Sequence, residues 1–218
     1  MKIKSKAIAA ALSAGIGYTL GSINPAYIIG LRNGYDIREK GSGNAGASNV
    51  MLLEGNAAGA FVTAFDMSKA AVAVSTCRKL FPEFESAGET AGAAAVLGHM
   101  FPASMDFRGG KGLACLGGTI LAFGMQDFSI MLFAELSILL AMKYICFVPM
   151  TASVIYPLYR GITTGNWKGA AILGSVAPPI FIKHIENLKR ISEGKEFKAS
   201  FLWKKQEELE RTGWISAI

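Results

Sequence analysis

The chain has 218 residues, of which 51% are hydrophobic and only 17% are charged, and its formal net charge is +6. A soluble domain has roughly a quarter of its residues charged, so this composition excludes an ordinary soluble domain and indicates a membrane protein. The aromatic residues do not alternate with the basic ones, which argues against a nucleic-acid partner. The three cysteines have neither metal-ligand spacing nor a disulfide framework, and we expect no metal.

Seven apolar segments, in chain order, predict an all-α polytopic membrane bundle of about seven spans, some of them short or broken. The first covers residues 7–31 and is interrupted by Ser22, Asn24 and Pro25. Several of the others are shorter than the ~20 residues of a straight span, so we expect local thinning of the bilayer or helices that begin in the headgroup zone. These six segments cover residues 57–77, 90–104, 113–124, 128–142, 144–159 and 169–183.

The end of the chain is polar and charged, so we expect a membrane domain over residues 1–198 and a cytoplasmic tail over residues 199–218. With seven spans, the loops 32–56 and 105–112, the turn at Lys143 and the polar segment from residue 184 onwards fall on one face, which carries more than half of the Lys and Arg residues. The positive-inside rule makes that face cytoplasmic. The lysines among the first six residues would then lie outside, in conflict with the same rule.

The first polar loop, YDIREKGSGNAGASN at residues 35–49, is rich in glycine and contains the pattern GxGxxG. A dinucleotide-binding fold needs a buried strand before these glycines, and the polar segment DIREK stands there instead, so we reject a Rossmann fold. Glycine-rich backbone can still offer N–H groups in a concave nest that binds phosphate, with Arg38 and Lys40 adding positive charge. The alternative is a flexible loop between membrane helices.

A second glycine-rich loop, DFRGGKGLA at residues 106–114, places Lys111 among three glycines at the start of a predicted helix. It is not a Walker A motif, because Met105 stands where that motif has its first glycine. A lysine at a helix N-terminus is unfavourable for the helix dipole unless an anion lies between them. We therefore predict a second phosphate-binding point here, with a simple cytoplasmic-face anchor as the alternative.

Two further groups of polar residues stand out. His184, Asn187 and Arg190 lie near one face of a helix just after the last span, where they would bind a phosphate or, alternatively, attract anionic lipid. Asp66 and Lys69 lie three residues apart inside an apolar segment. Charges at membrane depth cost at least ~2.5–3.5 kcal/mol each, so we expect these two to form an ion pair, with a proton path as the alternative.

Three patches occur in order over about residues 18–198: GSINPAYIIG with DIREKGSGNAGASN, GHMFPASMDFRGGKG, and HIENLKRISEGKE. Together with Asp66 and Lys69, they resemble the bacterial acyl-phosphate:glycerol-3-phosphate acyltransferase family. The resemblance implies a seven-helix enzyme of the bacterial cell membrane with its active site at the cytoplasmic face. It would transfer an acyl group from acyl phosphate to the sn-1 hydroxyl of glycerol 3-phosphate, giving lysophosphatidic acid and phosphate, without a metal or nucleotide cofactor.

The same resemblance implies roles for individual residues. Catalytic roles fall to Lys111, Ser22, Arg38, His184 and Asn187. The remaining substrate- and phosphate-binding residues are Ser42, Gly43, Asn44, Gly109, Gly110, Gly112 and Glu196. The implied partners are acyl phosphate, glycerol 3-phosphate, membrane lipid and the enzyme that supplies acyl phosphate.

The chain departs from the family pattern at several positions. The family has proline where Asn24 stands, threonine where Cys115 stands, and serines where Cys146 and Pro149 stand. Membrane acyltransferases with an HxxxxD motif are excluded, because the acid position after each histidine holds a serine or a lysine. A transporter, which would show paired broken helices, and an inactive scaffold for lipid synthesis remain as alternatives.

Overall fold

The computed structural model describes residues 5–202 and 204–214, and the regular structure within these ranges is helical. Lys2 and Lys4 of the basic N-terminus, and residues 203 and 215–218 of the predicted tail, lie outside the described residues. Short 3-10 helices cover Ile37–Glu39, Ala103–Met105 and Ala199–Leu202. The α-helices are α1 (Lys6–Gly21), α2 (Pro25–Arg32), α3 (Ala47–Glu54), α4 (Asn56–Leu80), α5 (Ala87–Met100), α6 (Leu113–Phe123), α7 (Met125–Met142), α8 (Phe147–Thr164), α9 (Trp167–Gly174), α10 (Ala177–Ser192) and α11 (Lys205–Thr212).

Helices long and apolar enough to cross a membrane occur at three places in the described part of the chain. They are the α1–α2 stretch Lys6–Arg32, α4 and α7. The helices α5, α6 and α8 pack beside them, and the consecutive pair α9 and α10 packs against α8. The predicted all-α membrane bundle with short and broken helices is confirmed, and the number of seven spans stays a prediction.

The predicted interruption of the first apolar segment is a real break between α1 and α2. Asn24 caps α2, because its Oδ1 accepts the Tyr27 N–H at 2.9 Å, and Pro25 follows in the first helical position, where a missing N–H costs nothing. The Asn24 Nδ2 donates to the Ala45 carbonyl at 3.0 Å. A single side chain therefore starts α2 and fixes the first glycine-rich loop against it.

Small residues let α1 and α5 approach until their backbones touch. A Cβ added at Gly17 would lie 2.2 Å from the Ala91 carbonyl oxygen, and one added at Gly21 would lie 2.1 Å from that of Ala95. Both pairs are spaced four residues apart, so they form one contact stripe on each helix. Such small-residue interfaces are typical of helices packed within a membrane.

A small residue also lets α6 approach the backbone of α4. A Cβ at Gly118 would meet the Met67 carbonyl oxygen at 2.0 Å, so only glycine fits there. The neighbouring Gly117 has ordinary space, with its nearest contact, the Met67 Cε, at 3.8 Å. Of these two neighbouring glycines, only Gly118 therefore lies on the face of α6 that touches α4.

The segments expected to be loop and tail contain more structure than the sequence predicted. The loop 32–56 holds a 3-10 helix and α3, whose Val50 and Leu52 are buried. The tail folds back onto α3, where Phe201 and Leu209 pack on Leu52. Lys205 also donates to the Leu52 carbonyl at 2.7 Å. The domain boundary expected at residue 198 stays a prediction.

The predicted ion pair inside the bundle is confirmed. Lys69 Nζ lies 2.6 Å from Asp66 Oδ1, and both side chains are buried. The ammonium also donates to the Ile23 carbonyl at 2.5 Å and lies 3.1 Å from His99 Nδ1. These contacts join α4 to the end of α1 and to α5.

Candidate active site

A cavity of about 470 Å³ opens among α4, α6, α7, α8 and the folded-back tail. Its polar lining includes Ser42, Asn44, Lys111, Glu196 and Lys198 from loops, His184, Asn187 and Arg190 from α10, and Asp66, His99 and Glu135 from α4, α5 and α7. Its apolar lining comes from the interiors of the helices and includes Leu116, Ile120, Met131, Leu132 and Leu139. A mainly apolar cavity in which a few polar groups converge is typical of a site for a ligand with a charged head and a hydrocarbon body.

Lys111 stands at the head of a chain of hydrogen bonds within the polar part of the cavity. Its Nζ donates to the Asn187 Oδ1. The Asn187 Nδ2 donates to Glu196 Oε1 at 2.7 Å, and the Arg190 Nε donates to Glu196 Oε2 at 2.7 Å. Glu196 is thus neutralised by Arg190, whereas Lys111 meets only a neutral amide. The ammonium therefore keeps its charge available for an anion.

Burial and the neighbouring Arg190, against the opposing effect of Glu196, together lower the pKa of Lys111 to about 8. The lysine is therefore charged at neutral pH and loses its proton more easily than an exposed lysine. A bound phosphate would stabilise the charged form. This arrangement can hold a phosphate oxygen or an oxygen on which negative charge develops.

The glycines before Lys111 act through close packing. Gly110 donates its N–H to the His99 carbonyl at 3.0 Å, and a Cβ there would lie 2.1 Å from His99 Nε2. A Cβ at Gly109 would lie 2.1 Å from the His99 carbonyl oxygen. Neither glycine is among the residues that line the cavity, whereas Gly112 is, with a φ of +88° that favours glycine. The loop therefore turns tightly over His99 and directs Lys111 inward.

The first glycine-rich loop is held by Asn49. Its Oδ1 accepts the Ser42 N–H at 2.8 Å, and its Nδ2 donates to the carbonyls of Ile37 and Lys40. Gly43 donates its N–H to the Lys40 carbonyl, so the loop's own bonds occupy part of the nest that was predicted to bind phosphate. Ser42 and Asn44 line the cavity and Gly43 does not. The structure therefore places Ser42 and Asn44 at the cavity, and phosphate binding by this loop stays a prediction.

Arg38 lies outside the cavity lining and holds loops together. Its Nη2 is 2.6 Å from Asp36 Oδ2, and its Nη1 donates to the Met105 carbonyl at 2.7 Å. The hydrogen bond from Arg38 keeps the pKa of Asp36 below its ordinary value. The guanidinium also stacks 4.8 Å from the centre of the Tyr27 ring. The structure therefore places Arg38 between the two glycine-rich loops, and its predicted catalytic role stays a prediction.

Ser22 is likewise separate from the residues around Lys111. Its hydroxyl donates to the Tyr18 carbonyl at 2.8 Å. It lines a smaller cavity of about 260 Å³ together with Asn24, Tyr27 and Ser104. The structure therefore does not bring Ser22 into the main cavity, and its catalytic role also stays a prediction.

His184 and Asn187 share the buried face of α10 that the sequence indicated. The His184 Nδ1 lies 2.7 Å from the Ile180 carbonyl oxygen, so Nδ1 carries the proton and donates. This fixes the tautomer and leaves Nε2 as an acceptor in a side chain that lines the cavity. Such a nitrogen can accept the hydrogen bond of a substrate hydroxyl.

Several lining residues were not among the predicted site residues. Arg190 was predicted to bind a phosphate together with His184 and Asn187, but no prediction covered Glu135, Lys198, Phe201 and Trp214. The last three belong to or adjoin the tail, which was expected to be a separate solvated segment. The motifs in the helices do not indicate that residues of the tail pack against α3.

One buried group of side chains has metal-ligand chemistry. The ligand atoms of Asp66, His99 and Cys115 lie within 4.8 Å of one another. The Lys69 ammonium, however, already lies 2.6 Å from Asp66 and 3.1 Å from His99. A cation would have to displace this ammonium, so we assign the cluster to the ion pair.

Comparisons with known proteins agree with this arrangement. The chain is 35% identical over 187 residues to the glycerol-3-phosphate acyltransferase of Legionella pneumophila (strain Corby). The aligned region covers 85% of this chain and 67% of the relative. It is 37% identical over 194 residues to the glycerol-3-phosphate acyltransferase of Thermoanaerobacter sp. (strain X514), covering 87% and 95%.

Two crystal structures of PlsY, described as an integral membrane glycerol 3-phosphate acyltransferase, have the same fold. The glycerol 3-phosphate form matches with a TM-score of 0.76 and 30% identity, covering 88% of this chain and 96% of that one. The lysophosphatidic acid form matches with a TM-score of 0.73 and 29% identity, covering 87% and 94%. The family model for glycerol-3-phosphate acyltransferase matches residues 11–194. The chain therefore belongs to the glycerol-3-phosphate acyltransferase family.

Proposed function

We propose that this protein transfers an acyl group from acyl phosphate to the sn-1 hydroxyl of glycerol 3-phosphate, giving lysophosphatidic acid and inorganic phosphate. The observation that carries the proposal is the two-part cavity, which joins Lys111 and its hydrogen-bonded neighbours to a long apolar wall. The relatives' names support the acceptor, and the ligand forms of the PlsY structures are an acceptor and a product of this kind.

The proposed reaction needs little chemical machinery. The oxygen of the acceptor hydroxyl attacks the carbonyl carbon of the acyl phosphate, and the bond from that carbon to the phosphate oxygen breaks. The hydroxyl proton leaves on the departing phosphate. Because acyl phosphate is already activated, no covalent enzyme intermediate is needed, and positioning of the two substrates supplies much of the rate.

Lys111 is proposed to stabilise the negative charge that develops during transfer, since it is the cavity's ammonium with a neutral partner. His184 Nε2 would accept the hydrogen bond of the acceptor hydroxyl and orient it. Asn187 and Ser42 would donate hydrogen bonds to the phosphates, whereas the Glu196 carboxylate, which only accepts, would orient Asn187 and Arg190. Gly109 and Gly110 would act indirectly, by holding the loop that presents Lys111.

We also propose that the cavity mouth faces the cytoplasm of a bacterial cell, where glycerol 3-phosphate is present. The support is the excess of Lys and Arg in the loops and tail on that side. An enzyme that makes acyl phosphate would then be a partner on the same side of the membrane.

The proposal is tested with purified protein in detergent, given palmitoyl phosphate and glycerol 3-phosphate. Release of inorganic phosphate and formation of lysophosphatidic acid are measured together, and the position of the acyl group is read by mass spectrometry. Palmitoyl-CoA in place of palmitoyl phosphate should give no product. If acyl-CoA serves as well as acyl phosphate, the donor is wrong. If neither donor reacts and no acyl phosphate binds, the scaffold alternative takes its place.

A further inference from the structure

A buried carboxyl group interrupts the apolar wall of the cavity. Along α7 the lining residues Phe128, Met131, Leu132 and Leu139 are apolar, and Glu135 stands in the middle of this stripe. Glu135 is only 7% exposed. Ionisable side chains at membrane depth are costly and are kept where they have a function.

The two oxygens of this carboxyl group differ. Oε2 is 2.7 Å from the Thr151 hydroxyl on α8. Oε1 has no hydrogen-bond partner among the residues that the structure describes. A buried polar atom without a partner costs about as much as a lost hydrogen bond, so native proteins usually satisfy such an atom with a side chain, water or ligand.

Neither the charged nor the neutral form of the Glu135 carboxyl group gives Oε1 a hydrogen-bond partner. If the carboxyl group is charged, both oxygens are acceptors. If it is neutral with its proton on Oε2, that proton is donated to Thr151 Oγ1, which in turn donates to the Phe147 carbonyl at 2.8 Å. In both cases Oε1 is an acceptor that needs a donor.

The contact between α7 and α8 does not explain why residue 135 is a glutamate. The bond to Thr151 uses one oxygen, and a shorter hydroxyl side chain could make a similar bond without the cost of a second buried oxygen. Leucine, as at residues 132 and 139, would simply continue the wall. The contact with α8 therefore does not explain the second oxygen, Oε1, which is buried without a hydrogen-bond partner among the described residues.

We propose that the cavity accepts an acyl chain that carries a hydroxyl group, and that Glu135 Oε1 accepts the hydrogen bond of that hydroxyl. The inference rests on the proposed function, because it assigns the apolar wall to the acyl chain of the donor. Thr151 lies five residues after Cys146, or roughly 7 Å along α8. The hydroxyl is therefore expected several carbons from the reacting carbonyl, towards the middle of the chain.

The test compares palmitoyl phosphate with an analogue that carries a hydroxyl group in mid-chain. The wild-type protein should prefer the hydroxylated donor in kcat/KM by about tenfold to a hundredfold, as expected for a hydrogen bond to a carboxyl group. In Glu135→Leu the preference should vanish or reverse. Leu136→Ala, an exposed position on the same helix outside the cavity lining, should leave the preference unchanged.

Binding provides a measurement that does not depend on turnover. Non-reactive acyl phosphonates with and without the hydroxyl group are titrated into the wild-type protein and the variants by calorimetry. A binding preference in the wild type that is lost in Glu135→Leu supports the inference, even if no acyl transfer is observed and the proposed function has failed. Equal affinity for the two phosphonates in the wild-type protein overturns the inference, even if both donors react.

Discussion

Replacing Lys111 by alanine is expected to lower kcat by about a hundredfold to a thousandfold. Lys111 is the ammonium that meets only the neutral Asn187 amide, so it is the cation best placed to receive developing negative charge. Removing one transition-state donor from a buried site costs about 2.7–4 kcal/mol, which gives this range. Lys111→Arg should also fail, because a planar guanidinium cannot replace a compact ammonium beside Arg190.

The pH dependence of the reaction provides a second test of the role of Lys111. With a pKa of about 8, Lys111 is protonated at lower pH and loses its charge as the pH rises through that value. The kcat/KM, which reports this group in the free enzyme, should therefore fall above about pH 8. This limb of the profile should be absent from the residual activity of Lys111→Ala, because the titrating group is gone.

The assay is phosphate release from palmitoyl phosphate with saturating glycerol 3-phosphate, in detergent. The matched control is Lys189→Ala, since Lys189 is an exposed lysine on α10 that does not line the cavity. Thermal unfolding of each variant confirms that the fold is intact. A Lys111→Ala protein that is folded and turns over at near the wild-type rate would refute the assignment of the charge-stabilising role.

Three further outcomes are expected. In a background without native cysteines, Arg108→Cys should resist an impermeant thiol reagent in intact cells and react after permeabilisation; labelling of intact cells would contradict the cytoplasmic placement. Cys146→Ser should keep or raise kcat/KM, because Cys146 lines the cavity and a serine hydroxyl is a stronger hydrogen-bond donor; a large loss would show that the thiol itself is needed. Gly118→Ala should lower the thermal midpoint clearly while Gly117→Ala changes it little, because only the former places a Cβ 2.0 Å from a backbone oxygen; equal effects would mean that the α4–α6 contact is misjudged.

The parts of the site that the sequence predicted are those where a local motif has a direct physical meaning. Lys111 among glycines, and His184 with Asn187 on one helix face, stand out because only 17% of the residues are charged and the chain has two histidines. Each motif lies next to an apolar segment, so its place at the edge of the apolar region follows from the hydrophobic pattern. The structure brings these residues into one cavity.

The parts that could not be predicted depend on contacts between distant segments. No local pattern indicates that Arg38 bonds to the Met105 carbonyl, or that Gly109 and Gly110 pack on His99. The position of Glu135 in the cavity lining depends on the rotation of α7, which a segment apolar on most of its faces does not specify. The tail packs on α3 through a few apolar residues within a charged stretch, and composition alone indicated a solvated segment there.

The pairing of Asp66 with Lys69 also bears on how the chain enters the bilayer. Both residues belong to α4 and lie one helical turn apart, so their bond can form within a single helix. An inserting α4 can therefore neutralise both charges before α5 arrives, and His99 joins the pair only when the two helices meet. The α4 span can thus leave the translocation channel with the two charges in its interior already paired, without waiting for the rest of the bundle to be made.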